Sequence, residues 1–351
     1  MTDNTKADET AEETQLNEPA GATLPINLCV TVSGLAEEDG TRLGQAVLGA
    51  ARAISRHIDL ERLDGITLSS DYEGALASLD RGYETSHVLA PSSEFVIGIA
   101  MTPTVRRDGM IKSRIVLNAN IIWPIQDVDD ELFQRSVHII AHECAHVEVT
   151  MMTDRAFPNL LLTEQFGDLL QHSKREVTWA CWDEYAACRI SADWGEDPLD
   201  SYAEMLISTM TSIRERANEL IRAYRVHGDH GQIIVEVTGQ YGNLMKYASY
   251  LAGHIDGVGR SLADVHAVDA ALREHWFRPF FERLHGALQG IWTEYGKWTD
   301  HSRFELVGAI LEDVLAEIGM TFYYGPDGEL GFKLPYRRDT MPAGAEWLAA
   351  Q

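Results

Sequence analysis

Val137-His138-Ile139-Ile140-Ala141-His142-Glu143-Cys144-Ala145-His146-Val147-Glu148-Val149 is the stretch on which the reading of this chain turns. It contains His142-Glu143-x-x-His146. Residues four apart on an α-helix stand one turn above each other on the same face, so both imidazoles can offer a nitrogen to one zinc ion. Glu143 projects at the side of that face, where a carboxylate can hold a water and take its proton. The apolar periodicity predicts a helix from about 130 to 152. Asp127, Asp129 and Asp130 are expected to cap it, their charge facing the positive end of the helix dipole.

A catalytic zinc site needs three protein ligands and one open position. The metzincin extension requires Gly at 149 and His at 152; the chain has Val149 and Met152, which rejects it. His138 lies on the same helix, but it stands about 12 Å along the axis from His146 at 1.5 Å per residue. It is therefore expected to pack or hydrogen-bond behind the ligands. What remains is a carboxylate from a later helix, the gluzincin arrangement. The expected helix over 174–194 offers Glu176, Asp183 and Glu184. Glu184 shares its stripe with Ala180, Cys181, Ala187, Cys188 and Ser191, and Ala141 and Ala145 flank the histidines. Two faces of small residues can approach closely enough for a short carboxylate to reach across. Glu184 is the expected third ligand, and Asp183 is expected to support a ligand or face solvent. Cys181, Cys188 and Cys144 read as packing residues.

Upstream, strands are expected over 24–32, 63–68, 94–101 and 112–122, with helices over 39–57 and 72–79. Asp108-Gly109 marks a turn between the last two strands. They should form a hairpin whose exposed edge, the strand with Asn118 and Asn120, binds an extended peptide by strand addition. Downstream, helices are expected over 160–172, 174–194, 199–226, 233–254, 262–275, 279–295 and 301–318. A hairpin over 321–334 should follow, turning at Gly325-Pro326-Asp327-Gly328. His227-Gly228-Asp229-His230 reads as a polar turn. The expected class is α+β: a zincin-like core with a small mixed sheet and the HExxH helix, then a mostly helical part. The expected division is an acidic disordered tail over 1–22, a zincin-like domain over 23–197 and a helical region over 198–351.

Ile115-Val116-Leu117-Asn118, Arg135, Ile140-Ala141-His142-Glu143-Cys144-Ala145-His146 and Glu184-Tyr185-Ala186-Ala187 together resemble the ImmA/IrrE-type zinc peptidases. In that family a strand ending in Leu-Asn precedes an Ala-His-Glu-x-x-His helix, and a downstream Glu-x-x-Ala helix supplies the third ligand. The resemblance covers roughly residues 95–194. It departs at Ala145, where the family usually has Gly, and at Cys188, where it usually has Asn or Asp.

The expected activity is zinc-dependent hydrolysis of a peptide bond, with Zn²⁺ on His142, His146 and Glu184 and with Glu143 as general base. The substrate is expected to be a peptide or protein, and a narrower form of the same expectation is a regulatory protease with one specific protein substrate. The alternative is a non-catalytic, metal-stabilised scaffold. Tyr241, Tyr247, His227, His230 and His254 are the candidate donors to a developing oxyanion. Composition narrows the partners. A formal net charge of −25 opposes nucleic-acid phosphates. Four cysteines make no disulfide framework, and Met1–Gly21 has neither a basic start nor an apolar run. With no stretch of membrane-spanning length, a cytoplasmic protein without membrane or nucleic-acid partners is expected.

Overall fold

The computed structural model describes residues 21–85, 88–90, 99–162 and 167–349. The expected acidic tail therefore lies almost wholly outside the described residues, as does most of the expected strand over 94–101.

The chain opens with β1 (Cys29–Ser33), α1 (Glu37–Ile54) and β2 (Leu63–Ser69). The helical spacing of Leu43, Val47, Ala51 and Ile54 puts all four on the buried face of α1. That face packs on the sheet, and the crossover makes β1 and β2 parallel. Asp71 caps the short α2 (Tyr72–Ala77), its side chain accepting from the Gly74 amide at 3.0 Å. Next come β3 (Ala100–Met101), β4 (Thr104–Arg107) and β5 (Met110–Asn118). β5 runs parallel to β2 and antiparallel to β3 and β4, giving the order β1-β2-β5-β3 with β4 beside β3 on the same flank.

Asp108 and Gly109 make the expected two-residue turn, both at positive φ (52° and 77°), as a tight hairpin turn of this hand requires. The hairpin it closes is shorter than expected, because its first arm is β4. The fourth strand also ends earlier than expected. The Asn118 side chain accepts from the Asn120 amide and caps a short helix, α3 (Ala119–Ile122). Nor is that strand an edge: β5 has partners on both sides. The expected strand addition at Asn118 and Asn120 is therefore closed off.

The HExxH helix, α4, runs Phe133–Ala156. The aspartates before it do not cap it. Its N-cap is Leu132, without a side-chain hydrogen bond. Asp127 and Asp130 instead fold the approach, accepting from the amides of Asp129 and Leu132. The two helices expected over 160–172 and 174–194 are one, α5 (Leu169–Ile190), capped by Asp168. Asn159, Leu162 and Gly167 all have φ between 65° and 67°, which no helix can continue through.

α6 (Leu199–His227) and α7 (His230–Gly257) form a long antiparallel pair. The turn between them is the polar one expected: Gly228 closes α6 in the left-handed region and Asp229 caps α7. α8 (His266–Leu272), α9 (Arg278–Trp292), α10 (Ser302–Glu317) and the antiparallel pair β6 (Thr321–Tyr324) and β7 (Leu330–Lys333) complete the chain. The helix expected over 262–275 is a 3-10 turn at Leu262–Asp264 followed by α8.

The architecture is α+β, and among the described residues no helix is long and apolar enough to cross a membrane. Among the described residues two large apolar cores form, beside a small cluster of Tyr72, Leu76 and Val116. One lies between the sheet and helices α1 and α4, around Leu43, Val47, Ile66, Leu117, Ala141 and Ala145. The other fills the helical part, around Trp182, Tyr185, Leu244, Leu251, Phe281 and Leu311. α4 gives Ala141 and Ala145 to the first and Val149 to the second, while α5 gives Ala187 to the first and Trp182 to the second. The candidate site lies where these two helices meet.

Candidate metal centre

His142, Glu143 and His146 are fixed by the burial of the opposite side of α4, where Ile140, Ala141, Cys144 and Ala145 are wholly buried. α5 crosses beside them with Glu184 facing the histidines. Its position is set from behind by α7. At Gly253 a Cβ would lie 2.2 Å from the Tyr185 carbonyl oxygen, so α7 can approach the α5 backbone only with glycine there.

The three expected ligands converge. The Nε2 atoms of His142 and His146 are 3.1 Å apart. Glu184 Oε2 lies 3.4 Å from the first and 3.5 Å from the second. Donors held about 2.0–2.1 Å from a tetrahedral ion stand roughly 3.3 Å from one another, so this triangle has the size of a metal face. Glu184 Oε2 is buried and has no hydrogen-bond partner, an arrangement costly to leave without a cation. Two imidazoles and one carboxylate are a donor set that suits zinc. Among the described residues no fourth His, Cys, Asp or Glu joins the group.

The surroundings are electrically coupled. Burial works to lower the His146 pKa, but the carboxylates of Asp183 and Glu184 override it and hold the pKa well above the usual histidine range. Burial would raise the Glu184 pKa; the two histidines instead pull it well below the ordinary value. Asp183 lies 2.9 Å from His146 Nδ1, an ion-pair distance without hydrogen-bond alignment. Of the two expected roles it combines something of each, standing against His146 with its side chain 41% exposed. Glu143 is buried, and that burial raises its pKa against the opposing pull of His146, His142 and Thr102.

Three neighbours escaped the sequence reading. Thr102, just after β3, places its hydroxyl 2.6 Å from Glu143 Oε2. Tyr250, on α7, stacks on the His142 ring at 5.9 Å and interacts with the Glu184 carboxylate. Tyr202, on α6, stands beside Cys188 and His138. The available signal was Gly253, whose bare backbone marks the face of α7 that meets α5, one turn from Tyr250. The donors singled out instead lie elsewhere. Tyr241 packs on Trp276, Tyr247 beside Tyr250, and His227 and His230 on Tyr224, while His254 pairs with Asp197. Asn118 caps α3, and the Asn120 side chain donates to the Ser70 carbonyl.

Compared with protein-family models, with curated proteins and with solved structures, the chain matches none of them.

Proposed function

We propose that this protein is a zinc metallopeptidase of gluzincin type, with a zincin-like core that resembles the ImmA/IrrE-type peptidases. One observation carries the reading. Three donors form a metal-sized triangle with no fourth protein ligand among the described residues, and a buried carboxylate, Glu143, stands next to it on the same helix. A purely structural zinc site closes its coordination with four protein ligands, whereas a catalytic one keeps a position free.

His142, His146 and Glu184 would hold the ion, which when bound lowers the pKa of a water and polarises a carbonyl. Glu143 accepts the proton of the attacking water and returns it to the leaving amine. Its raised pKa makes it a stronger base than an exposed carboxylate. The Thr102 hydroxyl fixes which way the Glu143 carboxylate points. Tyr250, against His142 and Glu184, would be the donor to negative charge developing on the substrate oxygen. Among the described residues β3 pairs only with β5, and Thr102 follows directly on it. An extended peptide would lie along β3 rather than β5.

The test combines metal content with cleavage. Full-length protein should take up about one zinc per chain and cleave a peptide library, and Glu143→Gln should keep the zinc and lose the cleavage. A protein that binds no zinc overturns the metal centre. One that binds zinc and functions equally well with Glu143→Gln is the metal-stabilised scaffold instead.

A further inference from the structure

Behind His142, away from the triangle, four polar groups stand in a line. Cys188 Sγ lies 3.9 Å from His142 Nδ1. Tyr202 Oη lies 3.6 Å from Cys188 Sγ and 3.4 Å from His138 Nε2. His138 Nδ1 lies 3.0 Å from the Trp194 carbonyl oxygen. Each group between the ends has one hydrogen to give and one lone pair to offer. The last acceptor, a carbonyl, can only accept, which fixes the direction of every bond before it.

We propose that Cys188, Tyr202 and His138 form a one-way donor chain that sets the tautomer of His142, leaving its Nε2 lone pair bare toward the metal position. This rests on the metal reading of the centre. His138 donates from Nδ1 to Trp194, so its Nε2 is an acceptor. Tyr202 donates to that nitrogen, leaving its oxygen to accept the Cys188 thiol hydrogen. The sulfur is then left to accept from His142 Nδ1. All three are positioning residues; none reaches the triangle.

Two further observations agree. The chain works only with a neutral His138, and burial lowers its pKa to about 4. The end of the chain is also anchored. Gly195, at φ 68°, brings the loop so close to α4 that a Cβ would meet the Gln134 carbonyl oxygen at 2.2 Å, and the Glu196 amide donates to that same oxygen. The Trp194 carbonyl therefore cannot drift from His138 without moving α4.

The test is nitrogen NMR of full-length protein with labelled histidine, metal-free and zinc-loaded, together with zinc affinity by chelator competition. The expected result is His138 and His142 both protonated on Nδ1 in the metal-free protein. Cys188→Ala should weaken zinc binding about 10- to 100-fold, the range for residues that orient ligands, and Tyr202→Phe about tenfold. Cys188→Ser, which can also accept and donate, should recover most of the loss. Tyr202→Phe keeps the ring and serves if Cys188→Ala fails to fold. His138 protonated on Nε2, or zinc affinity within twofold of wild type for both Tyr202→Phe and Cys188→Ala, overturns the chain. If the wild type itself binds no zinc, the metal reading fails, and the tautomers of the metal-free protein still decide the relay.

Discussion

Asp183 stands behind His146 with 41% of its side chain exposed, a carboxylate facing the ring from the solvent side. Behind His142 the group at Nδ1 is the Cys188 thiol; from it a thiol, a phenol and an imidazole carry one direction of hydrogen bonding inward to a backbone carbonyl. The two imidazoles sit one turn apart on the same helix, yet one is supported by charge and the other by orientation. Charge makes His146 a better base but invites protons to compete with a metal. Orientation avoids that competition and depends instead on burial and on every member staying neutral.

The largest expected effect leaves both supports intact. Glu143→Gln should lower peptide hydrolysis by about 10²- to 10⁴-fold, the range of general-base catalysis, with zinc content unchanged. Measured kcat together with metal analysis checks it; parallel loss of both would mean that Glu143 holds the site together.

Acid should strike the His142 side through His138. Its folded pKa of about 4 lies below the unfolded 6.5, so between those values the unfolded chain binds the extra proton. Stability should be complete above pH 6.5 and fall as pH drops toward 4, by at most about 3 kcal/mol from this group at 1.36 kcal/mol per unit. Urea melts of metal-free protein at pH 7 and pH 4.5 read it, and His138→Gln should flatten the difference. An equal slope in both proteins would remove His138 from the account.

Protonation should strike the His146 side from the opposite direction. Its raised pKa means that the His146–Asp183 contribution to metal-free stability is complete below pH 6.5 and fades as pH rises through the folded value. Zinc needs the neutral ring, so affinity should climb over that same interval. Asp183→Asn should weaken zinc binding about 10- to 100-fold and move its pH midpoint down. Tyr202→Phe should leave the midpoint where it is. Identical pH profiles for the two variants would erase the distinction between charged and neutral support.

The smallest effect concerns α5, which carries both Asp183 and Cys188. Asp168→Ala removes its cap and should cost about 1 kcal/mol in a thermal or urea melt, with little change in zinc affinity. A large loss of affinity would show that the helix end, sixteen residues away in sequence, controls how Glu184 is presented.

The candidate triangle was legible because helical spacing is a local property. His142 and His146 follow from a four-residue interval, and Glu184 from the small residues around it. Their supports were less so. Asp183 was open between backing a ligand and facing solvent, and Cys188 read as packing. Tyr202, Tyr250 and Thr102 come from segments whose approach depends on tertiary packing, such as the glycine contact between α7 and α5, which no periodicity records. The sheet shows the same division. The Asp108-Gly109 turn was evident from two residues, but whether β5 is an edge depends on β2, more than forty residues earlier. The helix expected from 160 began too early because Leu162, in the left-handed region here, looks like an ordinary helix former in a sequence.

The membership of α4 in both apolar cores has a consequence for how the molecule opens. Amide exchange with solvent usually proceeds through partial openings that release one cooperative unit and leave the rest folded. Freeing His142 to Val149 would require giving up contacts with the sheet and with the helical part together. Their amides should therefore be among the slowest in the chain to exchange, and the His142–His146 turn should persist through fluctuations that release either half alone.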